Sequence, residues 1–348
     1  MRDVCVIGLG LIGGSVLRAA RAHGRTAWGT AESPGDRAAA HAEGFTVSES
    51  LPAALESADC RDALVVLAVP LTAVDEVLML LGKHAPLARL TDVVSVKVPV
   101  AFAVRSWAPR ARYVGGHPMA GTAESGWHAG DATLFTGTKW AVCGDTGTTR
   151  SDEQRAVDRE VFRDVLGLAL ACGAHVVPTT AAEHDDAIAR ISHLPHLLAA
   201  VLAAVGAAGG PLSMSLAAGS FTDGTRVSST RPELVRAMCE GNASALLPAL
   251  DDALGKLGAA RGALASTRSL KSTIDSGFTA AGEFRQSTEA AHTEVTIDLR
   301  APEAMSALLG VGAAGGVLTE LRCDTVLARV PVPPGRVRQN LPRRSLPE

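Results

Sequence analysis

The stretch GGHPMAGTAESGW, residues 115–127, sets one of the chain's ten histidines between glycines and a proline. A backbone so rich in Gly and Pro does not suit the interior of a helix or strand, so His117 reads as an imidazole presented from a broken segment. Pro118 biases the residue before it to an extended conformation, and Gly115 and Gly116 leave room for other molecules to approach. A neutral imidazole near pH 7 is suited to taking a proton. A second element of chemistry is GLGLIGG, residues 8–14, which fits G-x-G-x-x-G with Gly8, Gly10 and Gly13 and places Leu11 and Ile12 within it. The first glycine permits a tight turn, the second lets backbone approach a pyrophosphate, and the third lets a helix pack on a strand. His193 and His196 stand three apart, a spacing that could share a metal on a helix. No carboxylate or thiolate spacing accompanies them, and no metal is expected.

These groups need elements to hold them. Residues 3–7, DVCVI, form a short apolar run ending at Gly8, and LIGGSVLRAARAHG then keeps helical spacing until Gly24. That is strand, tight turn, helix, the context in which the glycine pattern signifies a dinucleotide site. The alternation repeats: a strand at 26–30 and a helix near 35–42; ALVVLAVP (63–70) and LTAVDEVLMLLGKH; TDVVSV (91–96) and a helix through Trp107; TKWAVCG (138–144); a charged helix from about Ser151 to Ala171; and CGAHVVP (172–178). It predicts an α/β Rossmann-type doubly wound parallel sheet over residues 1–178. In such a sheet the carboxyl ends of the strands border the cofactor, which brings Val69 and Pro70 to the crevice. Glu32, near the end of the second strand, is the acid expected on a ribose 2′-hydroxyl and favours NAD, while Arg37 leaves NADP open.

From 179 to 289 the pattern is Ala- and Leu-rich and helical, predicting a second, all-helical domain. LPHLLAAVLAAVGAAGG (194–210) is shorter than a membrane span and reads as a buried or dimer-interface helix. Alternating apolar positions return at HTEVTIDLR, giving a small C-terminal β-α-β-β appendage over 290–335, too short to build its own core. Residues 336–348 read as a flexible tail.

Composition sets the class of partner. The 348 residues are 47% hydrophobic and 20% charged with a net charge of −3, and the basic residues are dispersed, so a small molecule is the expected partner and nucleic acid or membrane is not. Six widely spaced cysteines, without a CxxC pair, suit a reducing, cytoplasmic setting.

The motifs VIGLGLIGGS, LAVP, TDVVSVK, GGHPMAG, ISHLPH and FTDGTRVSSTRPELVRAMCEGN, in this order, resemble the prephenate and arogenate dehydrogenases of tyrosine biosynthesis across roughly residues 3–285. The resemblance implies oxidative decarboxylation of a cyclohexadienyl carboxylate with NAD or NADP as hydride acceptor, acting through the helical domain at 179–289. Pairing through the apolar helices at 194–219 would bury surface that a monomer exposes, so a homodimer is expected. It implies that His117 accepts the proton of the ring hydroxyl and that Ser95 hydrogen-bonds the same hydroxyl, although Ser95 also suits a helix N-cap. It assigns the substrate's carboxylates to Arg226, whose planar donor fork matches them, and to His193. His196 reads as helix-core packing, Lys97 as a surface lysine, and Arg231 and Asn242 as scaffold. Relatives often carry a Glu six residues after the catalytic His, where Ala123 stands, so Glu124, one place later, is the candidate for that substrate contact. A β-hydroxyacid dehydrogenase would need a helical-domain lysine, and Lys256 and Lys271 sit in no matching motif. A non-catalytic NAD(P)-binding protein would not need Ser95, His117 and Arg226 together. Prephenate is the expected substrate and arogenate the alternative.

Overall fold

The computed structural model describes residues 2–122, 124–145 and 152–332, those of 152–157 by backbone alone. Ser151, the tail at 336–348 and Ala123 lie outside the described residues. The first half runs β1 (Val4–Ile7), α1 (Leu11–Ala22), β2 (Ala27–Thr30), α2 (Pro34–Ala42), β3 (Thr46–Val47), α3 (Leu51–Cys60), β4 (Leu64–Leu67), α4 (Val74–His84), β5 (Arg89–Asp92), α5 (Val98–Trp107), β6 (Arg112–Tyr113), β7 (Gly115–Pro118), β8 (Lys139–Cys143), α6 (Asp152–Ala171) and β9 (His175–Thr179). Strands β1 and β4, VCVI and LVVL, are buried throughout, as central strands covered on both faces require. The first sheet is parallel with order β3-β2-β1-β4-β5-β6. Its direction of growth reverses between β1 and β4, where ligands of such sheets lie.

A single parallel sheet does not account for every strand. A second, mixed sheet has the order β10 (His292–Asp298), β12 (Thr325–Pro331), β11 (Val317–Arg322), β9, β8, β7, with β7 antiparallel to β8 and β8 parallel to β9. His117 therefore stands in a strand after all, but an edge strand, where Pro118 costs no ladder hydrogen bond. The expected strand at 91–96 also stops early: the Asp92 carboxylate accepts the Val94 N–H at 2.8 Å, a local turn that ends β5 at Asp92 and leaves Ser95 beyond it.

The second half is α7 (Ala181–Ile188), a π-helical turn at Ala189–His193, α8 (Leu194–Ala208), α9 (Gly210–Ser215), α10 (Gly219–Thr225), α11 (Pro232–Gly241), α12 (Ala243–Ser266) and α13 (Lys271–Glu289), then β10 (His292–Asp298), α14 (Ala304–Ala313), β11 (Val317–Arg322) and β12 (Thr325–Pro331). Thr180 and Glu183 close a capping box on α7. The π turn precedes Pro195, which has no N–H to give to the preceding turn; the widened turn absorbs that loss. The three C-terminal strands are built into the second sheet through Leu318 beside Val176, and Leu308, Val311, Leu318 and Val326 share one core with α1 and α6. This is how a piece of about 45 residues escapes the need for its own core.

The helical part is sparsely cored. Its buried apolar cluster is Ala189, Cys239, Leu246 and Ala249, while Val205, Leu216, Ile274, Phe278 and Phe284 are exposed, Phe278 by 74%. Residues Ala181–Ala208 form one 28-residue helical run, longer than the sequence pattern suggested and apolar enough to cross a membrane by length and composition alone. Its first turns instead carry His184 and Asp185, buried against His117 and the start of α5, and His193, buried against Cys239 and Asn242.

Candidate active site

Gly8 takes φ +102°, open to glycine, and a Cβ there would overlap the Ala68 carbonyl of the LAVP segment. At Gly13 a Cβ would overlap the Gly8 carbonyl oxygen and come within 2.8 Å of the Ala68 side chain. At Gly10 a Cβ would meet nothing within 4 Å, and Gly10 caps α1 without a side-chain hydrogen bond. Strand and helix are thus pressed together at Gly8 and Gly13, while the first turn of α1, with Leu11 and Ile12, faces open space with its N–H groups available. This is a fitting cradle for a pyrophosphate. Val69 packs on Gly8, and Pro70 is exposed beside it. Glu32 is exposed past the end of β2, and the Arg37 guanidinium binds the carbonyls of Ala31 and Glu32.

His117 lies by the end of β5, two strands from the glycine loop. A Cβ on Gly116 would reach within 2.7 Å of the Asp92 carbonyl, so the glycine lets β7 cross there. The His117 ring meets another imidazole: its Nδ1 is 2.9 Å from His184 Nε2, and His184 Nδ1 is 2.7 Å from Asp185 Oδ1. Asp185 also accepts the N–H groups of Lys97 and Val98, each at 2.8 Å, and so caps α5 from another helix. His117 Nε2 makes no hydrogen bond among the described residues. Burial, then the charges of Lys97, His184 and His193, holds the His117 imidazole well below its ordinary pKa of 6.5, leaving it neutral at pH 7.

Lys97 is not a surface lysine. It is fully buried, its ammonium pairs with the Asp92 carboxylate and donates to the Gly116 carbonyl at 2.6 Å, and Tyr113 donates to the same carboxylate at 2.6 Å. The apolar neighbours Val94, Val96 and Val100 gave a charged residue no local reason to turn inward. Only the juxtaposition of Asp92 supplies one.

The helical residues sort differently from their sequence reading. His193 is fully buried; its Nδ1 is 3.2 Å from Asn242 Nδ2, and its Nε2 has no partner among the described residues. Burial lowers its pKa to about 4, against the opposing pull of Asp185. Asn242 also donates to the Asp185 carbonyl at 2.8 Å, tying α12's start to α7. His196 is half-buried rather than core-packed, its Nδ1 without a partner among the described residues; burial, opposed by a hydrogen bond with the Val227 backbone and helped by the Arg226 charge, keeps its pKa below the ordinary value. Arg226 is exposed with no ion pair among the described residues. Arg231 is exposed and pairs only with Glu233, at 3.8 Å.

His117, His184, His193, His196 and Arg226 thus form one continuous electrostatic neighbourhood. Ser95 is half-buried and caps no helix, and its hydroxyl makes no hydrogen bond among the described residues. Glu124 is exposed, its N–H held by Thr122, with no link from its carboxylate to His117. The loop after His117 is pinned by Trp127, which donates to Glu43 at 2.7 Å and lies under the Arg18 guanidinium, 3.7 Å from its ring centre. Asp92 stands in the TDVVSVK motif without a role assigned to it there, and His184 and Asp185 lie in no motif that sequence reasoning singled out; the one local signal for them is the capping box at Thr180 and Glu183 just before the histidine.

Comparison with known proteins bears on this geometry. The family model "Prephenate dehydrogenase, nucleotide-binding domain" matches residues 16–177, and "Prephenate dehydrogenase, dimerization domain" matches 180–271. A cyclohexadienyl dehydrogenase of Zymomonas mobilis is 32% identical over 280 residues, covering 76% of this chain and 89% of that protein. A crystal structure from Corynebacterium glutamicum, provisionally described as a prephenate dehydrogenase, is 46% identical with a TM-score of 0.78, covering 83% of this chain and 89% of the other. The prephenate dehydrogenase of Aquifex aeolicus, solved with hydroxyphenyl propionate and NAD+, shares the fold at 21% identity and a TM-score of 0.69, covering 82% of this chain and 98% of the other.

Proposed function

This chain belongs to the prephenate dehydrogenase family, and on that premise we propose that it converts prephenate to 4-hydroxyphenylpyruvate by oxidative decarboxylation. Gly8, Gly10, Leu11, Ile12 and Gly13 would hold the pyrophosphate of NAD, with Val69, Pro70 and Glu32 bordering the cofactor, which when bound would accept the hydride. The observation that carries the reading is a neutral His117 whose Nδ1 is engaged and whose Nε2 is free, at the carboxyl end of the first sheet. His117 Nε2 takes the hydroxyl proton as the C–H bond on the same carbon gives up its hydride. The bond to the ring carboxylate then breaks, CO2 leaves, and the electron pair aromatises the ring; His117 returns the proton to the phenolic oxygen. A base so placed contributes on the order of 10²–10⁴-fold. Ser95 shares the hydroxyl, Arg226 and the partnerless nitrogens of His193 and His196 face the carboxylates, and Glu124 is the remaining acid near that loop.

Residues 1–178 hold the nucleotide and 179–289 complete the substrate site and pair two chains. The apolar faces around Val205, Phe278 and Phe284 suit a homodimer, because pairing buries what one chain exposes. The free cysteines fit a reducing cytoplasm. The test is absorbance at 340 nm with prephenate or arogenate against NAD or NADP, for the wild type and His117→Asn. Prephenate with NAD is the expected best pair and the variant should lose kcat while keeping NAD affinity; full activity in the variant would refute the role of the base.

A further inference from the structure

We propose that His184 and Asp185 are positioning residues which, with His117, form a buried Asp–His–His relay that fixes the tautomer of the base and shares the positive charge it acquires. The inference rests on the reading of His117 as the base, and it concerns residues that no motif or comparison assigns.

The direction of every proton in the relay follows from its buried end. Asp185 is held ionised: burial pushes its carboxyl pKa up, but the hydrogen bond from His184 and those from the Val98 and Lys97 N–H groups overcome this and bring it below the usual value. An ionised carboxylate only accepts, so the proton at 2.7 Å belongs to His184 Nδ1. A His184 ring that carries one proton, on Nδ1, offers a lone pair at Nε2, and the 2.9 Å contact then makes His117 Nδ1 the donor. Neutral His117 is left with its lone pair on Nε2, the nitrogen free to meet substrate. Without this chain of constraints the two tautomers of His117 would compete, and the wrong one carries a proton where the base needs a lone pair.

The relay also answers an electrostatic difficulty. When His117 takes the proton, an imidazolium forms in a buried site. The groups that face it are Lys97 with its partner Asp92 from the β5–α5 segment, His184 and Asp185 from α7, and His193 from the π turn, with neutral Asn242 behind. Lys97 opposes the new charge and is itself balanced by Asp92. The carboxylate that the new charge can reach along hydrogen bonds is Asp185, through His184. His184 is only 4% exposed and both of its nitrogens are engaged, so it acts through His117 rather than on substrate.

The test uses full-length enzyme with His184→Phe, His184→Gln and His117→Asn, each checked for folding by circular dichroism and for NAD binding by fluorescence. His184→Phe should lower kcat about 10²-fold, within the range of a general base, with KM for prephenate and Kd for NAD changed less than about threefold. His184→Gln, whose carbonyl oxygen can still accept the Nδ1 proton, should recover about tenfold of that loss. Nitrogen-15 NMR of histidine-labelled wild type at pH 7.5 should show His117 with its proton on Nδ1, and His184→Phe should show a mixture. A wild-type kcat in His184→Phe, or a wild-type His117 protonated on Nε2, overturns the relay; should the Phe variant fail to fold, the NMR result and the Gln variant still decide. Activity retained in His117→Asn overturns the base itself, a distinct failure.

Discussion

Replacing Lys97 by methionine keeps most of the side chain's volume and removes its charge from a fully buried pair. Asp92 then loses its countercharge at zero exposure, with the Tyr113 hydroxyl at 2.6 Å, the Val94 N–H at 2.8 Å and the Gly116 N–H at 3.5 Å as its remaining donors. The Gly116 carbonyl also loses the donor that stood 2.6 Å away. Breaking one side of a buried pair costs about 3–5 kcal/mol, and the surviving donors put this case near the lower end, about 3 kcal/mol. At roughly 2–4 °C per kcal/mol for a large domain, the melting temperature should fall by about 6–12 °C. Adding Asp92→Asn removes the stranded charge and should recover most of that loss. The same lysine holds the His117 pKa down, so Lys97→Met should move the acid limb of kcat/KM to higher pH, and the double variant should keep that shift while regaining stability. Guanidinium unfolding of the holoenzyme and a pH series of initial rates read the two effects separately. A loss below about 1 kcal/mol, or an acid limb that does not move, would refute the reasoning.

Gly13→Ala forces a methyl against the Gly8 carbonyl and the Ala68 side chain, and overpacking of about 1–3 kcal/mol should appear as weaker NAD binding by fluorescence titration. Arg226→Ala should raise KM for prephenate by at least about tenfold, the equivalent of one charge-assisted hydrogen bond, with a much smaller change in kcat in steady-state kinetics. His117 and His193 both have folded pKa values below their ordinary 6.5, His193 at about 4, so below pH 6.5 the unfolded chain binds more protons than the folded one. Their contribution to stability is complete above about pH 6.5 and is lost as pH falls toward 4, which denaturant midpoints across that window should follow. Phe278→Asp, on a face exposed in the single chain, should shift sedimentation from dimer toward monomer.

Much of this fold is legible locally. The glycine loop, the alternation of apolar runs with helical spacing, the change to an all-helical pattern after Thr179 and the β-α-β-β order at the end all rest on periodicity and turn chemistry, which a short window of sequence contains. His117 stood out for the same reason, since the residues that make its backbone unusual are its neighbours. Other features depend on which segments meet. The nearest partner of His117 is 67 residues away on α7, and nothing around His184 marks it as half of a relay. Lys97 looks like a surface residue until Asp92 is placed beneath it, and the strand holding His117 becomes an edge of a second sheet only once β8 and the C-terminal strands line up beside it. Periodicity determines which side of an element faces inward; burial, proton direction and charge pairing depend on what waits there, and only the folded chain decides that.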